Sequence, residues 1–284
     1  MGISRVEDTH FPKNRSIRIK DKLIDLSLPK IMGIINLTSD SFYENSRITD
    51  KKSLLKTVEL MLAEGADFID LGGFSTRPGA VEISPEAEIN QVVPAIAAIK
   101  KEFPNCILSL DTFRGKVAEA GIEQGADIIN DISGWQFDAS LIDVVAKYKT
   151  PYILMHAGNS FETMHQPTKS ESVFNELIRY FSEKIIQLKE RGIYDVIIDP
   201  GFGFSKSMEQ NYELFNKLAL FTILERPILV GLSRKSMIYK KLNTTPEDAL
   251  NGTTILNTQA LHYGASILRV HDVKEAKQIV QLLY

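Results

Sequence analysis

Short apolar runs recur along the chain at residues 31–35, 68–71, 107–110, 128–129, 152–155, 196–198, 228–230 and 267–270, each bounded by Gly, Pro, Asp or Asn. They are rich in β-branched residues and nearly continuous in apolar character rather than alternating. That pattern predicts parallel strands covered on both faces. Between the runs the apolar positions change period. Leu54, Leu55, Val58, Met61 and Leu62 form one stripe at helical spacing, and Ile89, Val92, Val93, Ile96 and Ile99 form another. Phe174, Leu177, Ile178, Phe181, Ile185 and Leu188 make a third, and a last helix is expected over 273–283.

The punctuation supports this reading. Ser84-Pro85-Glu86 carries an N-cap, a first-turn proline and an acid suited to the helix dipole. Gly-Ala-Asp occurs at 65–67 and 125–127, with the related Gly264-Ala265-Ser266, where a left-handed glycine would end a helix before a strand. Strict βα alternation implies right-handed crossovers and a parallel sheet. The eight βα units between residues 29 and 284 favour a closed (β/α)8 TIM barrel, one domain, over an open sheet. Residues 1–28 stand outside it as an N-terminal extension. There 16–20 and 23–26 predict a hairpin closing the barrel's N-terminal mouth.

Composition narrows the partners. The 284 residues are 44% hydrophobic and 24% charged, and the net charge of −3 offers no general polyanion-binding surface, so nucleic acid is not expected. The single cysteine, Cys106, excludes an internal disulfide framework and reads as a buried small hydrophobe. The N-terminus lacks the apolar core of a signal peptide, and no run is long enough for a membrane span, so a cytoplasmic location is expected.

Polar residues gather where each strand ends, which in a barrel is one mouth. In order they are Asn36, Gly72 to Gly79 with Thr76, Arg77 and Pro78, Asp111, Asn130-Asp131, His156, Asp199 to Lys206, Ser233-Arg234-Lys235, and Arg269 with His271. Each alone has an ordinary explanation as a cap or a solvated turn; functionality at all eight strand ends together does not. Arg77, Arg269 and His271 with Lys206 and Lys235 exceed what a neutral sugar requires and suit phosphate or diphosphate. Asp111, Asn130 and Asp199 suit a flat heterocycle presenting N–H donors. Without an HExxH, a CxxC or a carboxylate triad, a Mg²⁺ carried by phosphate fits better than a resident metal.

Ordered motifs over about residues 30–275 then resemble the dihydropteroate synthases. They are Met32-Gly33-Ile34-Ile35-Asn36-Leu37-Thr38-Ser39-Asp40-Ser41-Phe42, Gly72-Gly73-Phe74-Ser75-Thr76-Arg77-Pro78-Gly79, Ser109-Leu110-Asp111-Thr112 and Ile129-Asn130-Asp131-Ile132-Ser133-Gly134. Leu154-Met155-His156, Asp199-Pro200-Gly201-Phe202-Gly203-Phe204, Gly231-Leu232-Ser233-Arg234-Lys235-Ser236 and Arg269-Val270-His271-Asp272-Val273 continue the series.

The resemblance implies a transferase of folate biosynthesis. Such an enzyme joins 6-hydroxymethyl-7,8-dihydropterin diphosphate to p-aminobenzoate by a dissociative route, with loss of pyrophosphate. It assigns Asp111, Asn130, Met155, Asp199 and Lys235 to the pterin, and Asn36, Thr76, Arg269 and His271 to the diphosphate. Thr76, Arg77, Pro78, Phe204, Ser233 and Lys235 fall to p-aminobenzoate, where sulfonamides compete, and Asn36 to Mg²⁺. Asp111, Arg269, His271 and Lys235 would carry catalysis. A homodimer is also implied. Ser39, Phe74, Ser205 and Arg114 depart from the usual proline, glutamate, glycine and lysine, and Phe74 and Ser205 bear on the second substrate. Whether Lys206 and His156 touch substrate or support the mouth stays open at this level. A pterin-binding methyltransferase and a silent pterin-binding barrel compete with this reading, but neither needs diphosphate ligands such as Arg269 and His271.

Overall fold

The computed structural model describes residues 16–37, 47–73, 82–158, 160–161, 164, 166–168, 170 and 172–284. Strands β1 (Ser16–Ile19) and β2 (Lys22–Asp25) pair antiparallel as the expected hairpin. Eight further strands follow: β3 (Lys30–Asn36), β4 (Phe68–Gly72), β5 (Ile107–Asp111), β6 (Ile128–Asp131), β7 (Tyr152–Met155), β8 (Val196–Asp199), β9 (Leu229–Val230) and β10 (Ile267–Val270). They run parallel in the order β8-β7-β6-β5-β4-β3-β10-β9. A bridge between Ile198 and Ile228, with Ile198 N–H donating to the Pro227 carbonyl at 2.9 Å, joins the two ends into the barrel. The run at 228–230 contributes a shorter strand than expected, Leu229–Val230: Pro227 has no N–H to give the ladder, and Ile228 forms an isolated bridge to Ile198.

Strand periodicity sorts every side chain to one of two faces. Met32, Phe68, Ile128, Ile153, Ile197, Leu229 and Ile267 point inward at the strand starts and pack against Ile17, Ile19 and Leu26 from the hairpin region. Their odd-numbered or even-numbered neighbours, such as Ile31, Ile69, Leu108, Ile129, Leu154, Ile198, Val230 and Leu268, face the helices. Both faces are therefore apolar, which is why the runs do not alternate. Ile17 is fully buried, and covering a side chain of that size is worth roughly 2 kcal/mol. The lower half of the barrel is thus solid, and only the upper half can accept a ligand.

The outer layer is made by α1 (Arg47–Ala63), α2 (Pro85–Glu102), α3 (Gly115–Gln124), α4 (Ser140–Tyr148), α5 (Val173–Glu190), α6 (Met208–Asn216), α7 (Ser236–Tyr239), α8 (Leu250–His262) and α9 (Val273–Leu283), with a 3-10 helix at Leu218–Leu224. The stripes predicted on α1, α2 and α5 bury Val58, Val92, Ile96, Leu177 and Phe181 against the sheet. Ser84 caps α2 by accepting from Ala87 N–H at 3.1 Å. Gly125 ends α3 at φ +120°, a conformation open to glycine. The aspartates of the two Gly-Ala-Asp segments face the bottom: Asp67 accepts from Ile31 N–H and Asp127 from Leu108 N–H, each at 2.9 Å. Asp127 also receives Lys20 of the hairpin and Lys100 of α2. Cys106 is buried as expected, and burial pushes its thiol up to about 11.

Candidate active site

The same periodicity that fills the floor with Met32, Phe68 and Ile153 brings polar residues inward two or four positions later. Asn36 on β3, Asp111 on β5, Asn130 on β6, Met155 on β7, Asp199 on β8 and Arg269 on β10 share the inner face. Register sets several of them side by side, with Asp111 opposite Asn130 and Met155 opposite Asp199. Asn36 lies exposed at the rim, while Asn130 and Asp199 are buried.

Arg269 is gripped by two carboxylates. Its Nε donates to Asp70 Oδ2 at 2.6 Å and its Nη2 to Asp111 Oδ2 at 2.7 Å. Asn130 Nδ2 also donates to Asp70 Oδ2, at 3.1 Å. Asp199 accepts from Gly201 N–H at 2.8 Å, which turns the chain into the following loop. Gly201 has φ +70°, and a Cβ there would stand 2.1 Å from the His156 carbonyl oxygen, so no larger residue fits that turn.

Asp70, Asp111 and Asp199 outnumber Arg269 and Lys235 in this ring. Burial pushes Asp111 up to about 7, with Arg269 pulling down and Asp70 pushing up. Burial also raises Asp199 against the pull of Lys235. Lys235 is pushed down to about 8 by burial, although Asp199 favours its charge. Burial opposes the charge on Arg269, but Asp70 and Asp111 outweigh it and hold the guanidinium above its ordinary value. Donors from a ligand, or a positive charge developing on one, would relieve the surplus of carboxylates.

The loop after β9 supplies the remaining polar groups. Lys235 Nζ donates to the Phe202 carbonyl at 2.5 Å and lies 4.9 Å above the Phe204 ring centre. Ser233 Oγ accepts from His271 N–H at 3.2 Å and lies 3.0 Å from His271 Nδ1. In the tautomer in which the hydroxyl gives its proton to Nδ1, the other ring nitrogen, Nε2, carries the N–H. Beside these polar groups stands an apolar wall of Phe113, Ile132, Met155, Ala157 and Met164, with Phe161 and Phe204 packed on it. A flat ring would lie against it.

Other strand-end residues hold the mouth together. Lys206 is buried and donates to the Gly201 and Phe204 carbonyls at 3.0 and 2.9 Å, with His156 Nδ1 at 3.3 Å. His156 in turn pairs with Glu176 of α5. Arg234 is committed to Asp272 and to the Pro246 and Glu247 carbonyls. Asp131 faces outward and accepts from Ser133, Trp135 and Tyr152. Arg114 bonds Glu88 and Glu82. Ser205 takes φ +51°, a conformation that favours glycine, and its hydroxyl donates to the Met164 carbonyl at 2.9 Å.

Thr76, Arg77 and Pro78, with Ser39 and Phe74, lie outside the described residues. Sequence reasoning passed over Asp70, although a lone carboxylate at an inward position of an apolar strand was the signal. It also missed Phe113, Ile132 and Phe161, which look like ordinary loop hydrophobics until the loops are brought together.

Comparison with known proteins gives concordant matches. The family model described as "Pterin binding enzyme" matches residues 32–271. The dihydropteroate synthase of Escherichia coli (strain K12) is 40% identical over 262 residues, 92% of each chain. A Yersinia pestis dihydropteroate synthase solved as a sulfonamide drug complex superposes with TM-score 0.87 at 36% identity, covering 94% of this chain and 98% of that one. The Xanthomonas albilineans dihydropteroate synthase with 4-aminobenzoic acid gives TM-score 0.87 at 32% identity, with 94% and 96% covered.

Proposed function

Because the chain belongs to the dihydropteroate synthase family of pterin-binding enzymes, we propose how its own residues carry that family's reaction. It is a transferase of folate biosynthesis that condenses 6-hydroxymethyl-7,8-dihydropterin diphosphate with p-aminobenzoate to give 7,8-dihydropteroate and pyrophosphate. The observation that carries the assignment of roles is the ring of buried carboxylates and amide around Arg269.

Asp199 accepts the 2-amino and N3–H donors of the pterin, a bidentate arrangement that rewards a planar edge. Asn130, whose Nδ2 is already given to Asp70, presents its oxygen to a further ring N–H. Lys235 donates to the ring acceptors, and Met155 with the apolar wall packs on the ring face. Arg269 and the Nε2–H of His271 bind the diphosphate and stabilise the charge it gains as the pterin carbon–oxygen bond breaks. The cationic methylene left on the pterin is stabilised by Asp111 and by delocalisation into the ring. The p-aminobenzoate amine then attacks that carbon and loses a proton. Phe204, Ser233 and Lys235, together with Thr76, Arg77 and Pro78, form the second-substrate side.

Among the described residues no group of three or more His, Cys, Asp or Glu converges as a metal site. A Mg²⁺ would therefore take most ligands from the diphosphate and water, with the Asn36 amide oxygen at the rim as its protein ligand. When bound it would neutralise the departing diphosphate. We further infer a cytoplasmic homodimer, which light scattering on the purified protein checks for the oligomer.

The direct test is pyrophosphate release with the pterin diphosphate and Mg²⁺, with and without p-aminobenzoate. Release coupled to dihydropteroate formation is expected. Tight pterin binding without release would remove the diphosphate roles of Arg269 and His271.

A further inference from the structure

Asp70 sits in the middle of β4, fully buried between Ile69 and Leu71, opposite Ile34 on one side and Ser109 on the other. A carboxylate at that depth is costly, and an apolar side chain of similar volume would serve the fold at least as well. Its bonding is also uneven. Oδ2 accepts from both Arg269 Nε and Asn130 Nδ2, while Oδ1 has no hydrogen-bond partner among the described residues. Ser109 Oγ, its neighbour in register, has none either. A residue placed to stabilise the barrel would have both oxygens satisfied; this one gives a single oxygen to two groups of the ligand pocket.

We propose that Asp70 is a positioning residue for the reaction: its Oδ2 sets the guanidinium of Arg269 and the amide of Asn130 on one frame, so that diphosphate and pterin are held in fixed relation. The inference rests on the diphosphate role of Arg269 given above. With Nε on Asp70 and Nη2 on Asp111, two of the three guanidinium nitrogens are held by carboxylates, which fixes the plane and leaves Nη1 for ligand oxygens. The Asn130 bond fixes which end of the amide points at Asp70, so the oxygen is the end offered to the pterin. Asp70 need not touch substrate to do this. It couples the contact that recognises the ring to the contact that receives charge as the bond breaks, and small misplacements of such groups are expensive in rate.

The test is a double-mutant cycle of Asp70→Asn and Arg269→Ala, read by steady-state kinetics and ligand titration with melting temperatures alongside. Asp70→Asn is expected to lower kcat/KM for the pterin diphosphate by about 10- to 100-fold, the worth of one charge-assisted hydrogen bond. KM for p-aminobenzoate should stay within about twofold, and affinity for the plain hydroxymethyl pterin should fall less than affinity for its diphosphate. The double variant should lose far less beyond Arg269→Ala than the product of the two single losses, because the guanidinium that Asp70 holds is already gone and only its hold on Asn130 remains to be lost. Additive losses, or wild-type kinetics in folded Asp70→Asn, overturn the proposal. If Asp70→Asn does not fold, Asp70→Glu keeps the charge but shifts the frame by a methylene; it should lose turnover, and wild-type kinetics there also overturn it. Full activity of Arg269→Ala would remove the diphosphate role and this inference together, whereas an inactive Arg269→Ala beside an unaffected Asp70→Asn removes the inference alone.

Discussion

Replacing Asp199 by asparagine separates recognition of the pterin from everything else the site does. The carboxylate is buried, and one oxygen already accepts from Gly201 N–H at 2.8 Å. An asparagine oxygen can keep that bond, so the loop from Gly201 to Lys206 should hold its course. The other atom becomes an NH2 facing a ligand N–H, donor against donor. One charge-assisted hydrogen bond at roughly 1.5–3 kcal/mol is lost and the second becomes a neutral one, roughly 2.5–4.5 kcal/mol together, which weakens pterin affinity by about fiftyfold to two-thousandfold. Titration calorimetry with the plain hydroxymethyl pterin reads this directly, and competition by pyrophosphate provides the control. Pyrophosphate affinity should be little changed, because Arg269 is held by Asp70 and Asp111 and His271 by Ser233. Pterin affinity within about threefold of wild type would refute the argument, since no neutral amide can replace both acceptor contacts.

The remaining predictions concern pH, the floor and a strained loop. Lys235 gives the pterin a charge-assisted contact only while protonated, and its value near 8 is set by burial, with Asp199, Arg269 and Asp111 as the charges facing it. The contact is therefore present below that pH and lost as pH rises through it, so kcat/KM for the pterin diphosphate should fall on the alkaline side. Lys235→Arg, charged throughout, should flatten that limb in a pH–rate profile; an unmoved limb would assign it to another group. Ile17→Ala should cost about 2–4 kcal/mol in urea denaturation because Ile17 is fully enclosed by the strand starts. A loss under about 1 kcal/mol would show that the hairpin is not part of the core. Ser205→Ala keeps the left-handed backbone and its N–H bond to the Met164 carbonyl but removes the hydroxyl bond to the same oxygen, so a loss of about 1 kcal/mol in thermal melting is expected, and no loss would mean the hydroxyl bond contributes nothing.

Much of this molecule could be read in one dimension because a barrel of short strands writes its faces at a period of two. The runs at 152–155 and 267–270 coincide with β7 and β10, and the inward parity of Asp111, Asn130 and Arg269 follows from the same count. What could not be read was which polar group meets which. Arg234 and Arg269 look equally available along the chain, yet one is spent on Asp272 and two carbonyls while the other enters the barrel. Lys206 and Lys235 both bond loop carbonyls, but Lys235 also lies over the Phe204 ring. Asp70 was concealed because it sits within a run counted as apolar and its partner Arg269 lies 199 positions away. Only closure of the sheet brings such residues together.

The barrel closes at a thin seam. Between β8 and β9 the sheet is joined by one bridge, and β9 itself spans only Leu229 and Val230. Asp199 ends the strand on one side of that seam, while Lys235 follows from the strand on the other. A pterin held by both would act as a stitch across the joint with the least hydrogen bonding. Its binding free energy would then appear unevenly along the chain, as a larger slowing of amide exchange on binding at Ile198 and Val230 than at amides of β4 and β5, which already lie within continuous ladders.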